Sequence, residues 1–162
     1  MAGNGGSLKR LGLLTAVLAL VASSVMPGSA LAGAAIQVTG GGAATISQFG
    51  MGITMSGSGS AQGHFECLMA GRSAVSGLAL MAVQGQVTRG TLNSEGSVIF
   101  SGLARVTMNP AHGPGDILTD VPFIVAVSDG GAGSGTLQLT LPTLGMTLPV
   151  ETVLSGRITV HS

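Results

Sequence analysis

The stretch that decides the fold runs from Val98 to Leu141 and reads VIFSGLARVTMNPAHGPGDILTDVPFIVAVSDGGAGSGTLQLTL. Three of its segments alternate apolar with more polar residues: 97–108, 121–128 and 136–141. Because successive side chains of a β-strand point to opposite faces, each segment predicts a strand with one face in a core. The inward positions include Phe100 and Phe123. The glycine-rich segment 129–135 predicts a turn between the last two strands.

The same alternation continues on both sides of this stretch. It predicts further strands over residues 36–39, 49–55, 63–69, 78–92 and 152–160. Gly40–Gly42 is predicted to end the first of these strands, and Leu154, Gly156, Ile158 and Val160 are the predicted inward positions of the last. Segments 109–120 and 142–149 contain prolines and glycines and are predicted as loops.

We therefore predict an all-β fold, a single antiparallel meander of eight or nine strands that closes as a small β-barrel. A β-sandwich is the alternative architecture. Closure would remove the exposed sheet edges, and it predicts that Ile36–Thr39 pairs with Ile158–His161.

The N-terminus has the pattern of a secretory signal peptide, which predicts a helix over part of residues 1–32. Lys9 and Arg10 precede the apolar run Leu11–Ala22, and Ala30-Leu31-Ala32 offers the small residues of a cleavage site. We expect cleavage after Ala32, which leaves residues 33–162 as one all-β domain that is secreted or held in the cell envelope. An uncleaved segment would be its contact with a membrane.

Charge and cysteine content exclude several classes of partner. Only 7% of the 162 residues are charged, and four arginines and six acidic residues follow Ala32. The resulting formal charge of −2 disfavours nucleic acid, whose binding needs a basic surface. Cys67 is the single cysteine, so no intrachain disulfide can form. We interpret it as a buried thiol, with a reactive thiol or an intermolecular disulfide as the alternative.

Several motifs together resemble a family of small secreted bacterial all-β domains of unassigned function. They are TGGG at 39–42, GHFEC at 63–67, VIFSGLA at 98–104, PFIVAVSDGG at 122–131 and SGRITV at 155–160. The resemblance covers most of residues 36–161 and implies a glycine-rich exported β domain. It carries no catalytic residues to transfer.

Candidate chemistry is sparse. His64 and Glu66 are predicted to project from one face of a strand, where they could share a metal ion or a proton. Asp116, Asp120 and Asp129 are weaker candidates for a calcium site, if the fold brings these carboxylates together. The segment 130–138 resembles a calcium-binding nonapeptide, but Gly135 replaces the ligating aspartate.

The absence of a recognisable catalytic constellation predicts a non-enzymatic exported β domain with a structural or binding role and without a cofactor. One alternative is a carrier of a small apolar ligand, with a lipocalin-like or avidin-like cavity. Its predicted lining is Met51, Met55, Met69, Met81 and Met108. The other alternative is a calcium-dependent adhesion module.

Overall fold

A computed structural model of the chain describes residues 35–71 and 77–161. The predicted signal peptide and its cleavage site lie outside the described residues. The described residues form ten strands: β1 Ile36–Ala44, β2 Gln48–Met55, β3 Ser60–Ala70, β4 Leu78–Leu92, β5 Val98–Pro110, β6 Asp116–Ser128, β7 Gly130–Gly131, β8 Thr136–Leu141, β9 Met146–Thr147 and β10 Glu151–His161. The described residues include no helix with the length and apolar character needed to cross a membrane.

All ten strands belong to one antiparallel sheet, and eight of them form a ring. The ring order is β10, β1, β2, β3, β4, β5, β6 and β8, and β8 returns to β10. The predicted pairing of the first and last strands is confirmed, because Val38 lies opposite Val160 and Thr39 opposite Thr159. The ring is uneven, since β8 meets β10 through only Thr136–Thr152 and Leu137–Glu151. We call this junction the closing seam.

Three phenylalanine rings fill the interior of the ring. Phe65 on β3 and Phe123 on β6 are stacked with their centroids 5.9 Å apart, although β4 and β5 lie between these strands in the sheet. Phe100 on β5 meets both rings edge-on, at 5.6 and 6.4 Å. Side chains from strands three places apart touch because the sheet curls around them, as a barrel requires.

The inward faces predicted for β2, β4, β5, β6 and β8 are confirmed by burial. Met51, Met55, Met69 and Met81 are at most 5% exposed and belong to the same hydrophobic cluster as the phenylalanines, while Met108 packs partly buried against it. Gly85 makes room for the aromatic rings, because a Cβ at this position would lie 2.6 Å from Cε1 of Phe123. The methionines that the carrier hypothesis assigned to a cavity are thus part of a packed core.

The predicted loop over 109–120 is wrong for most of its length. Strand β5 continues to Pro110 and β6 begins at Asp116, so residues 111–115 alone connect them. The cause is a β-bulge opposite Arg105, since Ala104 pairs with Val121 whereas Val106 pairs with Leu118. The extra residue shifts the alternation by one position, so the start of β6 does not continue the pattern that begins at Val121.

The predicted inward face of the last strand is also wrong in part. Ile158 is fully buried, but Leu154 is 60% exposed and Val153 is buried in its place. A bulge again explains the change, because Ala43 pairs with Ser155 and Ala44 with Val153. Gly156 accommodates the bulge with a φ of +84°, a conformation that residues with a Cβ atom disfavour.

Two further predictions need correction. Gly40–Gly42 does not end β1, which continues to Ala44 because these glycines pair with both β2 and β10. The predicted loop 142–149 contains a short 3-10 helix, Pro142–Leu144, followed by β9.

Candidate functional site

A groove crosses the outer wall of the barrel over β10, β1, β2, β3 and β4. Its volume is about 640 Å³. Two rows of outward-facing residues form its sides, and the backbone at the inward-facing Phe49, Cys67 and Val83 forms its floor. The rows lie two residues apart along the strands, which corresponds to a width of about 7 Å. Five strands give a length of about 19 Å.

Small residues open the groove, and polar residues line it. The first row runs Gly50–Glu66–Gln84, and the second runs Ser155–Ala43–Gln48–Leu68–Ala82. A Cβ added at Gly50 would meet nothing within 4 Å, so space is free at this position, which lies opposite Glu66 on the neighbouring strand. The groove therefore combines one carboxylate with two carboxamides and an apolar strip.

His64 and Glu66 project from the outer face of β3 and are both exposed, which confirms their predicted direction. Glu66 lines the groove, whereas His64 lies one row away and covers Gly52, with Cε1 3.2 Å from where a Cβ would be. Among residues 35–71 and 77–161, no three His, Cys, Asp or Glu side chains form a group that could hold a metal ion. The two residues thus share a surface and lack a third ligand within the described ranges.

The three aspartates lie in different local structures. Asp116 begins β6, and Asp120 occupies the bulge of that strand with φ +56°. Asp129 accepts a hydrogen bond from the Val160 amide at 2.9 Å and lies 3.9 Å from the Arg157 guanidinium. Asp129 therefore links the end of β6 to β10 and has a structural role.

A buried polar cluster that was not predicted from the sequence lies beneath one end of the groove. Glu151 is fully buried at the start of β10, and its carboxylate accepts a hydrogen bond from the Ile46 amide at 3.0 Å. The Ser47 hydroxyl lies 2.9 and 3.0 Å from its two oxygens. Thr45 extends the connection through its hydroxyl, which bonds both backbone groups of Thr152. These contacts fasten the β1–β2 turn to the closing seam.

Cys67 belongs to the same cluster and is 2% exposed, which confirms its interpretation as a buried thiol. Burial raises the pKa of this thiol to about 12, against a smaller lowering by the Ser47 hydroxyl, while the Glu151 charge adds to the rise. Because the thiolate is the nucleophilic form of cysteine, this pKa makes Cys67 unsuited to nucleophilic catalysis at neutral pH.

We expect native Cys67 to react with iodoacetamide at pH 8 at least a hundredfold more slowly than the unfolded chain, because its pKa rises from 9.0 to about 12. The raised pKa also means that stability from this thiol is complete below pH 9 and declines as the pH rises towards 12. The free energy of unfolding should therefore decrease less from pH 8 to pH 11 in Cys67→Ala than in the unchanged chain. Equal alkylation of native and unfolded protein would contradict this prediction.

Glu151 was not predicted to be buried because the bulge in β10 interrupts the alternation of that strand, and Ser47 lies in the β1–β2 turn, outside the predicted strand 49–55. Counting back from Ile158 by twos places Glu151 on the outer face. The burial of Glu151 could have been predicted from the apolar Val153, because the two residues are two positions apart and therefore share a face on the N-terminal side of the bulge.

Comparison of the chain with protein-family models, with curated proteins and with solved structures finds no match.

Proposed function

We propose that this chain is an exported, non-enzymatic binding domain whose ligand lies in the groove on the outer wall. The observation that carries the proposal is the open space at Gly50 between the side chains of Glu66 and Gln48, on a wall whose inner side is filled by packed phenylalanines. A ligand would thus be held outside the barrel. Export rests on the sequence of residues 1–32.

The chemistry of the groove supports binding over catalysis. Its lining has two ionisable side chains among the described residues, Glu66 and the buried Cys67 with its pKa of about 12. A nucleophile with an adjacent base, which covalent catalysis requires, is not formed by this pair. Carboxylate and carboxamide groups instead favour a neutral or cationic ligand with N–H or O–H donors.

The test is a variant that fills the groove and leaves the fold intact. Gly50→Gln adds a side chain where a Cβ has free space, and Gly57→Gln, which also has nothing within 4 Å of its Cβ, is the matched control in a loop. Binding of neutral oligosaccharides and short peptides is followed by chemical-shift changes in the NMR spectrum. We expect Gly50→Gln to weaken binding of a neutral or peptide probe about tenfold or more, and Gly57→Gln to leave it unchanged.

Two results would overturn the proposal. One is a set of probes that bind equally well to both variants, since the groove would then not be their site. The other is turnover by purified residues 33–162 in a broad activity screen, abolished by a single side-chain change.

A further inference from the structure

The register of the sheet places two opposite charges on one outward row. Across β2, β3, β4 and β5, the outward residues at this level are Gly50, Glu66, Gln84 and Arg105. Glu66 and Arg105 are two strands apart, which corresponds to about 10 Å between their Cα atoms. The domain after Ala32 has only four arginines and six acidic residues, so this alignment is a distinctive feature of its surface.

Within the described part of the chain, neither Glu66 nor Arg105 forms an ion pair. The one ion pair among residues 35–71 and 77–161 joins Arg157 to Asp129. Cys67, next to Glu66, is buried, and the exposed ionisable groups beside this row are His64, two residues from Glu66 on β3, and Asp120, in the bulge opposite Arg105. Both are exposed, and Asp120 forms no ion pair with Arg105 within 4.0 Å.

The space around these charges fits an extended chain. The groove is open at Gly50 beside Glu66 and extends to Gln84, and Arg105 is the next outward residue of the row. Gln84 stands between the charges and can both donate and accept hydrogen bonds, as a peptide group requires. An extended tripeptide spans about 10 Å, the same distance as the two charged positions.

We propose that the groove binds a zwitterionic, peptide-like ligand, with an ammonium group at Glu66 and a carboxylate at Arg105. This proposal rests on the proposed function, because it names the chemistry of the ligand in the same groove. The ammonium lies at the Glu66 carboxylate, the Gln84 carboxamide bonds a central peptide group, and the planar Arg105 guanidinium receives the carboxylate in bidentate geometry.

Triglycine and its two blocked forms, N-acetyl-triglycine and triglycine amide, are the probes for this proposal. NMR titration of the unchanged chain should show binding of triglycine about tenfold tighter than of either blocked form, since each block removes one charge-assisted contact. In Glu66→Gln the advantage over the acetylated form should disappear and the advantage over the amide should remain. In Arg105→Gln the pattern should be the reverse.

Gly57→Gln is again the control and should bind all three probes like the unchanged chain. Equal affinity for triglycine and its blocked forms overturns the zwitterionic assignment, as does binding that ignores both charge variants. A groove that binds a different probe, lost in Gly50→Gln, would retain the proposed function and still overturn this inference. Failure of every probe at the groove would overturn both.

Discussion

Replacing Phe123 with alanine is expected to lower the free energy of unfolding by about 3–5 kcal/mol, the usual cost of truncating a buried phenylalanine. The ring is 1% exposed, stacks on Phe65 at 5.9 Å and meets Phe100 edge-on at 6.4 Å. Its other side lies against Gly85, which has no side chain to move into the space. The cavity would thus persist, and the loss approaches the total stability of about 5–15 kcal/mol that domains possess.

Arg105→Ala is the matched surface change, on an exposed side chain of the neighbouring strand. We expect it to cost under about 0.5 kcal/mol. Denaturant unfolding of both variants at equal concentration measures the difference. A larger loss from the arginine change than from Phe123→Ala would mean that the faces of β5 and β6 are inverted.

The sequence predicts the core well where one alternation runs unbroken. The inward positions of β5 from Val98 to Val106 and of β8 from Leu137 to Leu141 follow from period two alone. The hairpin turn at Asn93–Gly96 is equally local, because the Asn93 side chain accepts hydrogen bonds from the amides of Glu95 and Ser97. Such features depend on near neighbours in the chain.

Bulges mark the limit of that reasoning. The extra residue at Thr119–Asp120 and the one at Leu154 each reverse the face of all later positions in their strand. Period-two counting has no information about an insertion whose partner strand is unknown. The errors at 109–120 and at Leu154 both have this origin.

Prediction of the groove requires the register between strands, which the sequence alone does not give. His64 and Glu66 were recognisable as outward residues of one strand. That Glu66 faces Gly50 on one side and Gln84 on the other depends on the lengths of two turns. The row that links Glu66 to Arg105 needs a third register as well.

Glu151 illustrates the same limit for a buried group. It contacts Ser47 across 104 positions of the chain, and this contact exists because β10 returns to β1 when the ring closes. Buried polar groups are costly unless they find partners, and this carboxylate finds the Ile46 amide and the Ser47 hydroxyl. The cluster thus depends on the pairing of the first and last strands of the ring.

Replacing Glu151 with leucine is expected to cost about 2–6 kcal/mol of unfolding free energy, since the part-buried Ile46 amide and the buried Ser47 hydroxyl would each lose their acceptor. Glu151→Gln is the matched control, because its carbonyl can accept from the Ile46 amide while its NH₂ donates to the Ser47 hydroxyl. The glutamine variant should retain most of the stability, and Ser47→Ala combined with Glu151→Leu should cost less than the sum of the single changes. Hydrogen exchange at the Ile46 amide should accelerate in the leucine variant. A leucine variant as stable as the unchanged chain would show that the closing seam does not depend on this carboxylate.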